Sequence, residues 1–375
     1  MAELQDVFSR HGKTYRLNHR LLANQLKVMR AIEICRTSTL GSHVDQCDEC
    51  GFVHISYNSC RNRHCPKCQA LTKERWIDAR KADLLNVQYF HVVFTIPDIL
   101  NPVALQNQRI IYDILFKSAA ETLAELAADK KYLGAQIGFT GILHTWGQNL
   151  MHHPHIHCIV PGGGLNSCGK WLNSKKKFFI PVKVLSRKFR GKFLYFLKQA
   201  KLDFYGSISH LRSSGAFNDF LSSLYQREWI VYCKPPFKNA AYVVEYLGRY
   251  THRVAISNNR IVKFEDDQVT FKWRDYRDGN KQKLMTLDAD EFIRRFLIHV
   301  LPRGFTKIRY YGLFSPRNKT QKLKLCKKLT NTPRRDEPRV KLSVLEFLKK
   351  LTGKDFSVCP HCGVGHLTRA SPKIS

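Results

Sequence analysis

The chain has 375 residues, and its 62 Lys and Arg against 30 Asp and Glu give a formal net charge of +32. Such an excess costs self-repulsion that a polyanion relieves, and it spreads along the chain without gathering on one amphipathic segment, so a nucleic acid is the expected partner and a membrane surface is not. No run reaches the roughly eighteen apolar residues of a membrane span, and the polar start MAELQDVFSRHGK is unlike a secretory leader; a cytoplasmic, nucleoid-associated protein is expected.

In chain order, residues 17–36 have helical periodicity. A cysteine-rich stretch follows, CDECGFVHISYNSCRNRHCPKC, which holds five of the twelve cysteines. Clustered thiols in a reducing compartment read as metal ligands and not as disulfides. Cys47-x2-Cys50 and Cys65-x2-Cys68 are expected to converge on one structural Zn²⁺, because each CxxC turn offers two thiolates to a tetrahedral ion. Cys60 and His64 are possible additional ligands. Arg61, Arg63 and Lys67 lie among them, so the module presents positive charge for docking DNA.

A second helix is expected over 69–85 and a strand over 87–97, ending at a proline. A long helix spans 103 to about 130. Two strands follow, 136–150 and 154–161, with a turn placed at His152-His153-Pro154 and a break at Pro161-Gly162-Gly163-Gly164. His155 and His157 alternate around Ile156, so both imidazoles project from one strand face while Ile156 enters the core. With that turn, Gln148 stands nearly opposite His155 and supplies a third, oxygen ligand. Two imidazoles and an oxygen suit a catalytic Mg²⁺ or Mn²⁺ with positions open to phosphate.

Residues 182–202 and 238–252 read as helices, the first strongly basic. Tyr242, Tyr246 and Tyr250 recur every four residues and share a helical face, with Arg249, His252 and Arg253 beside the last. A phenol near these cations and a metal-polarised phosphate becomes a useful nucleophile. A helix is expected over 288–299. The tail from 315 is very basic, 328–340 reads as a linker, and Cys359-Pro-His-Cys362 is a possible further zinc site, with His361, His366 and Cys326 as candidate companions.

The order of these motifs resembles a known family. A His-hydrophobic-His strand before a Tyr-x3-Tyr helix is similar to the HUH superfamily of single-strand endonucleases. The sequence CxxCG…SCRNRHCPKC, then HPHIHCIVPGGG, YLGRYTHRVAISN, LPRGFTKIRYYGL and a late CPHC resembles the two-tyrosine rolling-circle transposases of the insertion sequence 91 family over nearly the whole chain. The resemblance implies an α+β fold: an HUH endonuclease-like antiparallel sheet with flanking helices, plus an N-terminal zinc-binding module. It implies Tyr246 and Tyr250 as nucleophiles, a 5′-phosphotyrosine intermediate with a free 3′-hydroxyl, His155 and His157 as metal ligands, and single-stranded element ends and target DNA as substrates. Tyr242 also forms a Tyr-x3-Tyr pair with Tyr246, so the assignment is not forced; Tyr242 is read as a packing residue. Glu245 and His144 are alternatives to Gln148, and Arg61, Arg63, Arg249 and Arg253 are the expected DNA contacts.

The expected organisation is a helical and zinc-binding DNA-docking module over 1–85, a catalytic domain with the tyrosine helix over 86–275, a basic helical extension over 276–330, and a linker with a small CxxC module over 331–375. A plasmid replication initiator or relaxase would use the same chemistry. A non-catalytic zinc-dependent DNA-binding regulator would explain the cysteines and the charge, but not the histidines and tyrosines.

Overall fold

The computed structural model describes residues 2–174, 180–234, 242–243, 248, 254–276, 278–317, 319–333 and 342–370. Its elements are α1 (Leu4–Asn18), α2 (Ala23–Glu33), β1 (Ser42–Cys47), β2 (Val53–Tyr57), α3 (Pro66–Lys81), β3 (Tyr89–Thr95), α4 (Asn101–Gln106), α5 (Gln108–Ala128), β4 (Gly138–Trp146), β5 (His152–Pro161), β6 (Gly163–Leu165) and β7 (Trp171–Asn173). Then come α6 (Val182–Gln199), α7 (Ser214–Gln226), β8 (Val231–Lys234), β9 (Ile261–Glu265), β10 (Gln268–Asp275), β11 (Lys281–Asp288), α8 (Ala289–Leu297), β12 (Ile308–Gly312), α9 (Lys319–Leu329), α10 (Val344–Thr352) and β13 (Leu367–Arg369).

The centre is a five-stranded sheet in the order β12-β4-β5-β3-β8, every adjacent pair antiparallel. Strand alternation sends Phe90, Val92 and Phe94 of β3, Leu143 of β4, and Ile156, Cys158 and Val160 of β5 to one face. There they bury against Tyr112 and Phe116 of α5 and Phe189 and Phe193 of α6. Each such side chain contributes about 1.5–3 kcal/mol. Every residue of β4 is buried, so the opposite face is covered too. Trp76 of α3 packs there with Tyr89, Ile142, Ile159 and Val243, and its indole N–H donates to the Tyr310 hydroxyl at 3.3 Å.

A second core joins distant parts of the chain. Leu4, Val7 and Phe8 of α1 and Met29 and Ile32 of α2 pack with Phe271 of β10 and with Phe292 and Phe296 of α8. In α8 the apolar residues Phe292, Ile293, Phe296 and Leu297 form one stripe, and the three-stranded sheet β11-β10-β9 backs it. A third sheet, β13-β1-β2, pairs the two ends of the chain: Asp45, Gln46 and Cys47 lie opposite Arg369, Thr368 and Leu367.

The mixed architecture expected from the sequence is present, with differences in detail. The periodic run 17–36 is divided between the end of α1 and α2. The segment 276–330, expected as a helical extension, contributes β12 to the central sheet and β11 to the second one. Residues 342–370 do not stand apart, because β13 completes the N-terminal sheet. No helix among the described residues is long and apolar enough to cross a membrane.

Candidate active site

The β4–β5 hairpin builds the histidine site. Its turn lies at Gly147–Met151, where the Gly147 N–H donates to the Met151 carbonyl at 2.9 Å and Leu150 takes a left-handed φ of 63°. His144 then lies opposite His155 and Ile142 opposite His157, with a register shift between His144 and Trp146. Cross-strand partners project from the same face, so His144, His155 and His157 converge on the side away from α5. Their candidate ligand nitrogens all lie within 4.8 Å of one another. His144 and His157 are buried.

This register corrects two expectations. His152 begins β5 and does not form a turn with His153 and Pro154. Gln148 falls in the hairpin turn, where its side-chain amide donates to the Tyr276 hydroxyl at 3.2 Å. The position opposite His155 belongs to His144, so the converging set is three nitrogens and not two nitrogens with a Gln148 oxygen.

Neighbouring groups orient two of the rings. His155 Nδ1 lies 2.7 Å from the His153 carbonyl oxygen; that acceptor requires an Nδ1–H donor and leaves the ring lone pair on Nε2. His157 Nδ1 lies 2.8 Å from His91 Nε2. Burial, together with the charges of Lys234 and His155, pushes His91 down to about 3, so it is neutral and can accept from His157. A ligating histidine commonly has its second nitrogen fixed in this way. Sequence reasoning missed His91. The signal was present in β3, where Tyr89, His91, Val93 and Thr95 alternate with the core residues Phe90, Val92 and Phe94, placing His91 on the face of the other three histidines.

The tyrosine segment is described at three positions. Val243 is buried against Tyr89, Ile142 and Ile159; Ile142 is the cross-strand partner of His157, so Val243 sits on the histidine face of the sheet. Gly248 approaches α3 so closely that a Cβ there would lie 2.1 Å from Ile77 Cδ1. Tyr242, expected to pack inward, is 57% exposed. Tyr246, Tyr250, Arg249 and Arg253, with Glu245 and His252, lie outside the described residues.

The cysteines group differently from their order in the sequence. Cys47, Cys50, Cys65 and Cys68 do not form one set. Cys65 and Cys68 meet Cys60 and Cys35, the last at the end of α2. Sulfur separations are 3.5 Å for Cys60–Cys68 and 3.6 Å for both Cys35–Cys68 and Cys35–Cys65. A tetrahedron with metal–sulfur bonds of about 2.3 Å has edges near 3.8 Å, so this thiol set fits Zn²⁺. Cys65 caps α3, with Pro66 in its first turn, and Cys68 lies one turn in, so the cluster anchors the start of the helix that packs over the histidine face. The Cys60 and Cys65 thiols pull Cys68 far below the ordinary thiol range. Cys47 and Cys50 lie instead with Cys359 and Cys362. Cys35 was missed because it stands just past the end of α2, in no CxxC pair and twelve positions before the next cysteine.

His64 belongs to neither cluster. It lines a cavity of about 400 Å³ with Arg61, Trp146, His299 and Lys307, and burial pushes it down to about 3. Arg61 opens onto that cavity. The Arg63 guanidinium donates to the carbonyls of Phe305 at 2.6 Å and Pro302 at 3.1 Å, so part of its donor capacity holds the loop before β12.

Comparison with known proteins finds transposases among the relatives of this chain. Residues 138–322 match a family described as "Putative transposase", and residues 7–96 match one described as "Transposase zinc-binding domain", of the IS91 type. A protein of Sinorhizobium fredii named "Putative transposase y4qJ" is 50% identical over 373 residues, 97% of this chain and 94% of that one. The "Transposase for insertion sequence element IS801" of Pseudomonas savastanoi pv. phaseolicola is 30% identical over 289 residues, 76% of this chain and 68% of its own length. No solved structure matches the chain.

Proposed function

The chain belongs to the insertion sequence 91 family of transposases, and from that premise we propose that it cuts single DNA strands at element ends through tyrosine and transfers them by a rolling-circle route. The observation that carries this reading is the packing of Val243 on the sheet face of His155 and His157. Val243 stands three positions before Tyr246 in sequence, which supports a reading in which the paired tyrosines reach the face where three imidazoles converge.

In this reading the Tyr246 or Tyr250 oxygen attacks the scissile phosphorus. An O–P bond forms to the 5′ side, the P–O3′ bond breaks, and the phenolic proton is balanced by the proton gained by the 3′ oxygen, which leaves as a hydroxyl. One tyrosine then holds the cut end while the other makes the next cut. His144, His155 and His157 would hold the divalent ion, which supplies Lewis-acid polarisation of the phosphate when bound. His91 and the His153 carbonyl keep two of those rings in the ligating orientation. Arg249 and Arg253 neutralise phosphate charge beside the nucleophiles. Three nitrogen donors shift the preference from Mg²⁺ toward Mn²⁺, since Mg²⁺ favours oxygen ligands and sheds water reluctantly. Structural Zn²⁺ at Cys35, Cys60, Cys65 and Cys68 fixes α3, and the +32 charge supplies affinity for single-stranded ends and target.

The test is a nicking assay on single-stranded end oligonucleotides with Mn²⁺, read as a denaturation-resistant protein–DNA adduct. The wild type forms the adduct, Tyr246→Phe with Tyr250→Phe abolishes it, and His155→Ala loses cleavage while keeping most DNA binding. An adduct that survives the double tyrosine change rejects the nucleophile assignment. A wild type that binds the strand and leaves it whole rejects the catalytic reading.

A further inference from the structure

The two ends of the chain carry the same turn. Cys47-Asp-Glu-Cys50-Gly51 and Cys359-Pro-His-Cys362-Gly363 each close with the glycine N–H donating to the first cysteine's carbonyl, at 3.2 Å from Gly51 and 3.0 Å from Gly363. Both glycines are left-handed, with φ of 69° and 71°, a conformation that glycine adopts without penalty. In each turn a backbone N–H points at the first thiol: Cys50 N to Cys47 Sγ at 3.5 Å, and His361 N to Cys359 Sγ at 3.4 Å. The flanking backbone closes alike, with the Cys47 N–H on the Phe52 carbonyl and the Cys359 N–H on the Gly365 carbonyl.

These two knuckles face each other. Sulfur separations are 3.8 Å for Cys47–Cys362 and 3.7 Å for Cys50–Cys359, and all four lie within 4.8 Å. A disulfide needs about 2.05 Å, whereas the edge of a zinc–thiolate tetrahedron is near 3.8 Å. The approach is built into the backbone: a Cβ on Gly365 would lie 2.6 Å from Cys47 Sγ. Phe52 and His361 stack across the junction at 5.4 Å, the His366 N–H donates to Asp48 Oδ1 at 2.7 Å, and β13 pairs with β1.

We propose that Cys47, Cys50, Cys359 and Cys362 form a second structural zinc site, distinct from the Cys35–Cys60–Cys65–Cys68 cluster, which clasps the C-terminal module to the N-terminal sheet. Half of its ligands come from each end of the chain, so the site closes only on a full-length protein. The clasp also holds α10 on the outer side of α3, where the Arg75 guanidinium lies 5.8 Å from the Phe347 ring centre and Lys350 pairs with Asp78 at 3.1 Å. Because α3 meets Gly248 through Ile77, the second ion supports the helix that this glycine packs against. The site stands on the cysteine geometry alone and does not depend on the strand-cleavage reading.

Zinc content per chain and the fate of the C-terminal module test it. The full-length protein should hold two zinc ions, and Cys359→Ser with Cys362→Ser should hold one. Gly365→Leu, which keeps every ligand but obstructs the approach to Cys47, should also lose one. The wild type provides a measurement that needs no variant. Trypsin cuts at Arg334, Arg335, Arg339 or Lys341 should leave the C-terminal fragment comigrating with the body while zinc is present, and the fragment should separate after chelation. One zinc per wild-type chain, two retained in the double cysteine variant, or a fragment whose association ignores chelation would overturn the proposal.

Discussion

Replacing His91 isolates the support of the proposed metal ligands from the ligands themselves. Its Nε2 lies 2.8 Å from His157 Nδ1, both residues are buried, and neutral His91 can accept the ring N–H, which would set His157 in the tautomer that the proposed metal site needs. His91→Phe keeps an aromatic ring in the face but removes that acceptor. Loss of such a partner costs about 10–100-fold in metal affinity, or about 1.4–2.7 kcal/mol. The same range follows from stripping the acceptor from a buried donor, about 1–3 kcal/mol. The assay is adduct formation on a single-stranded end oligonucleotide as a function of Mn²⁺. The half-saturating Mn²⁺ concentration should rise 10–100-fold, while the rate at saturating Mn²⁺ and the affinity for DNA change little. His91→Gln restores an acceptor at about the same reach and should recover most of the loss. An unchanged Mn²⁺ dependence in a folded His91→Phe protein would refute the orientation argument, and a uniform loss of DNA binding would mean that His91 only packs.

Two further outcomes are expected. His152 and His299 are buried and neutral; burial pushes them down to about 3 and about 4, and they bond Tyr112 on one side and Thr145 with Leu150 on the other. The unfolded chain binds protons near pH 6.5 where the fold does not, so their contribution is complete above that pH and is lost as pH falls toward about 4. The slope reaches about 1.4 kcal/mol per pH unit for each histidine; urea midpoints that stay level from pH 7.5 to 4.5 would contradict this. Gly248→Ala should push the tyrosine segment off Ile77 and slow adduct formation by up to about 100-fold, the scale of a misplacement of about 1 Å. Zinc content should stay the same, and Ile77→Ala on that background should restore part of the rate; an undiminished rate in the single variant would exclude the close contact.

Strand β3 and the HxH alternation of β5 were legible because they follow from local periodicity. The third ligand was not, because it depends on where the hairpin turns. His-His-Pro looked like the break, yet Gly147 and Asn149 are the better turn formers, and Pro154 is accommodated near the start of β5. Moving the turn to 147–151 exchanges Gln148 for His144 opposite His155. Likewise, nothing local marks His91 as a partner of His157 until β3 is known to lie beside β5.

The cysteines separate the two sources of information most clearly. The sequence by itself marked the CxxC turns as candidate metal ligands and put His155 and His157 on one face, because turns and strand alternation are set by a few neighbouring residues. The identity of the four thiols in each cluster was a tertiary decision. One thiolate is chemically like another, so the partners are whichever segments the folded core brings within about 4 Å. Burial of α1 and α2 against α8, and of β13 against β1, makes that choice across more than 300 residues of chain. The repeated glycine after Cys50 and Cys362, absent after Cys68, was the one local trace of the pairing.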